Sequence, residues 1–257
     1  MRPPSMLLAA LLVFASCGGG LPQSSTSDST APPSGTITVF AASSLTDAFR
    51  RVGDQLTSRY PGAHISFNFG SSSTLATQIV NGAPADVFAS ADDVNMRKVT
   101  AAGLVDGSAT VFATNRLQIA VAPGNPKGIA SLADLARRDL VVVLAAPSVP
   151  AGTYALEALD KAGVTLVPAS QELDVRAVLN KVALGEADAG IVYVTDVMSA
   201  ARRVTGVDIP EGQQVVARYP VATLRDSRNQ RLSSLFVRFL LGPDGQRVLD
   251  SLGFARP

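Results

Sequence analysis

From residue 36 onward the chain alternates short apolar runs with stretches of helical periodicity. "TITVF" at 36–40 reads as a strand, and it runs through two alanines into "SSLTDAF". There Ser44 is placed to cap a helix in which Leu45, Ala48, Phe49, Val52 and Leu56 recur as one apolar stripe. "HISFNF" at 64–69 alternates, with Ile65, Phe67 and Phe69 on one face of a strand. Three serines at 71–73 then open a second helix with Leu75 and Ile79 inward, although one serine is enough to cap a helix. "ADVFAS" is the next strand. This β-α-β-α-β order predicts an α/β fold with a largely parallel sheet.

A second unit is expected after "RLQIAVAPGNP" at 116–126, a strand that ends in Pro and Gly where the chain can leave one domain for another. Ser131 and Asp134 form a start resembling a capping box, and "LVVVLAAP" is a continuous apolar strand of the kind covered on both faces. Residues 151–163 read as a helix with Leu156 and Leu159 inward and Gly163 as its stop. Asp174 caps another helix, whose Val175, Val178, Leu179 and Val182 share a face, and 187–196 read as a strand. A last strand begins at 218, and two closing helices are too few for a third domain, so they are expected to return to the first. No internal repeat at a fixed period is present.

The 257 residues are 47% hydrophobic and 17% charged, which permits a core of ordinary size. The opening "MRPPSMLLAALLVFASC" has Arg2, an apolar run over 6–15 and small residues before Cys17. That run is too short to span a membrane, so 1–16 reads as an export signal. The chain's single cysteine stands at its boundary, which points to a lipoprotein cleavage box, with Phe14 where leucine is usual. Residues 17–35 are rich in Gly, Ser, Thr and Pro and read as a flexible tether. One cysteine excludes an internal disulfide. Removing 1–16 takes away one base and no acid, so the 22 basic residues become 21 against 21 acidic ones. A neutral mature chain is not expected to bind nucleic acid.

Enzyme signatures are absent: there is no G-x-S-x-G, no serine followed three residues later by lysine, no G-x-G-x-x-G and no P-loop. His64, the only histidine, falls on the polar phase of its strand. Asp92 and Asp93 could suggest a metal pair, but adjacent acids at a helix start chiefly complement its dipole, and no metal cation is expected. What remains is two serine-led helix starts after adjacent strands. Their amides and hydroxyls would aim donors into one crevice at the carboxyl ends of the sheet, an anion site that needs no Lys or Arg. Capping alone is the plainer alternative.

"ITVFAASSLTDAF", "FGSSSTLATQIVNGAPADVFASAD", "PSVPAGTYALEAL", "ELDVRAVLNKVALGEADAGIVYVTDV" and "YPVATL" with "LGPDGQRVLDSLGF" resemble, in order, the periplasmic molybdate-binding proteins of ABC transporters, over 36–254. The resemblance implies a two-lobed type II periplasmic binding protein fold, with lobe one at 36–117 plus 219–257 and lobe two at 118–218. It implies a monomer without a cofactor, whose lobes close on dehydrated molybdate or tungstate and deliver it to a membrane permease. The implied ligands are the hydroxyls of Ser44 and Ser72, the amides of Ala151 and Val175 and the phenol of Tyr193. A tyrosine near the end of an apolar strand otherwise reads as core, and Ser43 and Ser71 stay open as alternatives one residue away. Placed outside the cell with a lipid on Cys17, the protein would be a membrane-anchored receptor. The competing readings are a receptor for another tetrahedral oxyanion such as sulfate, an anion-sensing domain, and an extracytoplasmic hydrolase that lacks a visible nucleophile and base.

Overall fold

A computed structural model describes residues 32–200 and 202–257. The export signal, Cys17 and most of the tether expected from the sequence lie outside the described residues.

Strand β1 (Gly35–Ala42) shows why the first unit folds as it does. Ile37, Val39 and Ala41 are buried in the main core, while Phe40 points to the opposite face. Helix α1 (Thr46–Arg59) covers the first face with Ala48, Phe49, Val52 and Leu56. Its Phe49 ring meets those of Phe112 and Phe236 at 5.8 and 5.6 Å. Helices α2 (Ser72–Val80) and α3 (Asp93–Ala101) cover the second face, where Leu75, Ile79, Met96 and Val99 pack around Phe40 and Phe88. Strands β2 (Ala63–Gly70) and β3 (Val87–Ala89) flank β1 in parallel, so this part of the sheet is covered on both sides.

Strand β4 (Thr110–Val121) starts six residues before the strand expected at 116. Its first half pairs antiparallel with β9 (Val216–Thr223), which in turn pairs with β3. Its second half pairs with β7 (Ala189–Tyr193) and β8 (Thr205–Asp208). Beyond β7 lie β5 (Val142–Ala145) and β6 (Ser170–Glu172), all three parallel. The order is β2-β1-β3-β9-β4-β7-β5-β6, with β8 beside β4. Two parallel flanks are thus joined by an antiparallel pair in one curled mixed sheet, the α/β architecture expected.

Helices α4 (Pro150–Lys161) and α5 (Val175–Ala183) cover the second flank, and α6 (Val194–Ser199) follows β7. Asp174 caps α5 as expected, accepting from the amides of Arg176 and Ala177 at 2.8 and 3.0 Å. Gly163, with φ of 66°, closes the turn after α4. Three local expectations fail. Leu156 is 43% exposed, because α4 buries a stripe of small residues, Ala151, Gly152, Ala155 and Ala158, with Leu159. That stripe lets the helix approach β5 so closely that a Cβ on Gly152 would overlap the carbonyl oxygens of Ala145 and Ala146. The strand expected over 187–196 stops at Tyr193, where Asp196 reaches back to accept the Tyr193 N–H at 3.1 Å and starts α6. Asp134 does accept the amides of Ala130 and Ser131, but only a four-residue 3-10 turn follows. The closing helices α7 (Gln230–Leu241) and α8 (Pro243–Ser251) return to the first flank, α7 against β1 and β9 and α8 against α1.

Candidate functional site

The three serines before α2 have three different roles. Ser71 is the cap: its Oγ accepts the Thr74 N–H at 3.2 Å and donates to Thr74 Oγ1 at 2.8 Å. Ser73 leans on that cap, 3.1 Å from Ser71 Oγ. Ser72 turns inward, 1% exposed, and its Oγ accepts the Ala91 N–H at 2.9 Å. An amide can only donate, so the Ser72 proton stays available on the other side.

Ser44 does not cap α1, contrary to the sequence expectation. It lies in a 3-10 turn, Ser43–Leu45, that carries the chain from β1 into α1, and Leu45 holds the cap position. Its Oγ is instead 3.0 Å from the Tyr219 hydroxyl on β9. The next turn is tied by Thr46 Oγ1 donating to the Ser43 carbonyl at 2.6 Å.

Ala151 and Val175 sit in the first turns of α4 and α5, where backbone N–H groups have no partner within the helix. Pro150 at the start of α4 has no N–H to offer, which leaves the N–H groups of Ala151 and Gly152 there, and Asp174 caps the two amides after Val175, which leaves that of Val175. Tyr193 ends β7 with its hydroxyl buried and without a hydrogen-bond partner in the protein. These five residues, with Ser43 and Ser71, line one small cavity. No lining residue is charged. Burial raises the pKa of Tyr193 well above the ordinary phenol value, so the hydroxyl keeps its proton as a neutral donor. A groove of about 1000 Å³, lined by α2, α3 and by Pro147, Ser148, Thr153 and Tyr154, opens alongside, and none of the five lines it.

Behind the cavity lies an ion-pair cluster with no counterpart in the sequence expectations. Arg176 Nη2 donates to Asp47 Oδ2 at 2.7 Å, and its Nε lies 2.8 Å from Asp196 Oδ1 without the alignment of a hydrogen bond. Asp196 is fully buried, and burial pushes its carboxyl up to about 6 against the opposing pull of Arg176. Arg176 is held above its usual value despite burial by the two carboxylates. Arg176 follows Val175 directly, and Asp47 lies one turn after Ser44, so this cluster braces the two walls.

The other candidates leave the site. His64 is exposed on β2. Asp92 caps α3, its carboxylate taken by Ser90 Oγ and by Asn95 through both backbone and side chain, while Asp93 pairs with Arg218 at 3.0 Å. Among the described residues no cluster of three His, Cys, Asp or Glu could hold a metal ion, and no helix is long and apolar enough to cross a membrane.

Residues 37–255 match the model of the bacterial extracellular solute-binding protein family. The molybdate-binding protein ModA of Mycobacterium tuberculosis (strain ATCC 25618 / H37Rv) is 46% identical over 253 residues, covering 98% of this chain and 97% of that one. ModA of Escherichia coli (strain K12) is 34% identical over 230 residues, 86% of this chain and 89% of its own length. The solved periplasmic molybdate-binding protein of Azotobacter vinelandii has the same fold, with a TM-score of 0.75 at 22% identity over 86% of this chain and 99% of that one. With a family model that matches 37–255 and 46% identity to a ModA over nearly the full length of both chains, the chain belongs to the bacterial extracellular solute-binding proteins, in one family with these ModA relatives.

Proposed function

We propose that this protein captures molybdate, and tungstate with it, outside the membrane and delivers it to the permease of an ABC importer. The observation that supports the reading is the cavity itself: Ser44, Ser72, Ala151, Val175 and Tyr193 line it together with no charged side chain, and the Tyr193 hydroxyl has no protein partner. Molybdate and tungstate are fully deprotonated near neutral pH and only accept hydrogen bonds, so every such donor is satisfied at once. Phosphate keeps a proton that needs an acceptor, and a buried donor without one costs about 1–3 kcal/mol. Sulfate is also a bare dianion, and only its smaller size disfavours it. Competition calorimetry at neutral pH on the mature protein is expected to rank molybdate and tungstate first, then sulfate, then phosphate, with phosphate at least about tenfold weaker. Phosphate binding as tightly as molybdate would overturn the ligand set.

Ser72 rather than Ser71 is assigned to the ligand because the Ser71 hydroxyl is engaged with Thr74. Ser44 is preferred to Ser43 because its Oγ has a partner that sets its direction. Residues 36–117 with 219–257 are proposed to move as one lobe and 118–218 as the other, with β4 and β9 as the crossing strands. Small-angle scattering during the titration should show contraction on saturation with molybdate; an unchanged radius would remove the closure. The receptor is further proposed to act as a monomer, lipidated at Cys17 after removal of 1–16. Cys17→Ala is expected to move the protein from the membrane fraction to the soluble exported fraction, because acyl chains supply the anchor through their buried CH₂ groups. Unaltered membrane association of that variant would rule out lipidation at Cys17.

A further inference from the structure

Tyr219 and Asn115 stand behind the cavity without lining it, and neither is used in the ligand set above. Asn115, on β4, is 2% exposed, and Tyr219, on β9, is fully buried. Asn115 Oδ1 accepts the Arg116 N–H at 2.9 Å, which fixes the amide with its Nδ2 on the opposite side. The Nδ2 group donates to Thr195 Oγ1 at 2.9 Å and faces the Tyr219 hydroxyl at 3.5 Å. The other polar neighbour of that hydroxyl is Ser44 Oγ at 3.0 Å.

We propose that Tyr219, oriented by Asn115, is a positioning residue that fixes the Ser44 hydroxyl as a donor into the cavity and thereby tunes the site against protonated oxyanions. An amide nitrogen of Asn115 can only donate, so the Tyr219 oxygen accepts from it and its proton goes to Ser44 Oγ. Ser44 then accepts from behind, and its own proton is left to point at the ligand. The reverse arrangement would aim the buried Tyr219 proton at the Asn115 NH₂ group, two donors face to face, and is disfavoured by about tenfold or more. Burial keeps Tyr219 protonated, so the direction of the chain holds throughout the neutral range. The Ala91 amide imposes the same direction on Ser72. Thr195, at the far end, belongs to α6, which begins directly after Tyr193, so the chain also links Ser44 to the helix that follows the Tyr193 ligand.

The inference rests on the reading of the cavity as an oxyanion site, and a double-mutant cycle separates the two. Molybdate and phosphate affinities are measured by calorimetry at pH 7 for wild type, Tyr219→Phe, Ser44→Ala and the double variant, with melting curves confirming that each is folded. Tyr219→Phe keeps the ring and is expected to weaken molybdate binding about three- to tenfold, since one hydrogen bond to the ligand loses its direction. It should leave phosphate unchanged or tighter, because the freed Ser44 oxygen can accept the phosphate proton. In the Ser44→Ala background the same change should have no further effect on molybdate, because its action runs through Ser44. Asn115→Leu, which removes the donor behind Tyr219 without touching either hydroxyl, should narrow the molybdate-to-phosphate ratio in the same direction. Equal losses for Tyr219→Phe in both backgrounds, or for both anions, would overturn the positioning role while leaving the site in place. Wild-type molybdate affinity in Ser44→Ala would overturn the site assignment, and this proposal with it.

Discussion

Arg176→Ala is expected to lower the stability of the protein by about 3–5 kcal/mol at neutral pH, the usual result of removing one partner of a buried ion pair. Asp196 is fully buried, and without Arg176 it keeps only the Tyr193 N–H, 3.1 Å from Oδ2. The pair with Asp47 adds little to this figure, because the Asp47 side chain is 44% exposed and screened by water. The pH dependence identifies the cause. Burial raises the Asp196 carboxyl from 3.8 to about 6, so between about pH 4 and 6 the folded state binds a proton that the unfolded state has released. Stability therefore falls as pH rises through that window. Removing Arg176, whose charge opposes the shift, extends the window upward, so the variant should lose more stability than wild type between pH 5 and pH 8. Urea denaturation at those two pH values measures it. A penalty of the same size at both would show that Asp196 is not the group left exposed to the loss. Molybdate affinity should fall as well, since Arg176 adjoins Val175 and holds Asp47 one turn beyond Ser44.

Local patterns carry most of the fold. The stripe from Leu45 to Leu56, the Asp174 cap and the Gly163 stop are dictated by neighbours within a turn or two, and each lies where periodicity and cap chemistry put it. Expectation and structure part where a distant partner decides. The first half of β4, "TVFATNR", lacks clean alternation, and it becomes a strand because β9, a hundred residues later, supplies its ladder. β6 and β8 are three and four residues long, below the length at which a period can be read. Leu156 faces outward against expectation because nothing local reveals that α4 meets β5 through alanines and a glycine.

The site divides in the same way. Serine clusters and helix starts are visible in the sequence as candidate donors, since the amides of Ala151 and Val175 owe their availability to local helix geometry, although the direction of the Ser72 hydroxyl is set by the Ala91 N–H, 19 residues away. Ser44 is a candidate for the wrong reason: its hydroxyl is committed to Tyr219, 175 residues away, rather than to a cap. Tyr193 at a strand end reads as core until its unpartnered hydroxyl is seen in the cavity. Asn115, Tyr219, Arg176 and Asp196 form their contacts through crossing strands and opposed helix starts, and such residues carry no sequence signal of their own.

Ser72→Asp is expected to abolish molybdate binding at accessible concentrations, a loss of at least about a thousandfold, whereas Ser72→Ala should cost about ten- to a hundredfold. The alanine variant removes one hydrogen bond to a charged ligand, worth about 1.5–3 kcal/mol. The aspartate variant adds like-charge repulsion: at about 4 Å and an effective dielectric constant of about 20, each pair of unit charges costs about 4 kcal/mol, and molybdate carries two. The folded state should tolerate the carboxylate before the ligand arrives. Position 72 is the first residue of α2, where the helix dipole favours negative charge, and the Ala91 N–H that Ser72 now accepts lies beside it. The two mechanisms separate by pH. The dianion favours the protonated form of the introduced carboxyl, so binding to the Ser72→Asp variant takes up a proton, and affinity should improve by up to about tenfold per unit as pH falls from 8 to 6. Neither wild type nor Ser72→Ala gains a titrating group in the cavity, so both should show only the shallower slope that Asp196, behind the cavity, gives all three proteins. Calorimetry in two buffers of different ionisation enthalpy reads the proton uptake directly. An aspartate variant that loses no more than the alanine variant, with no proton taken up, would mean that residue 72 does not face the anion.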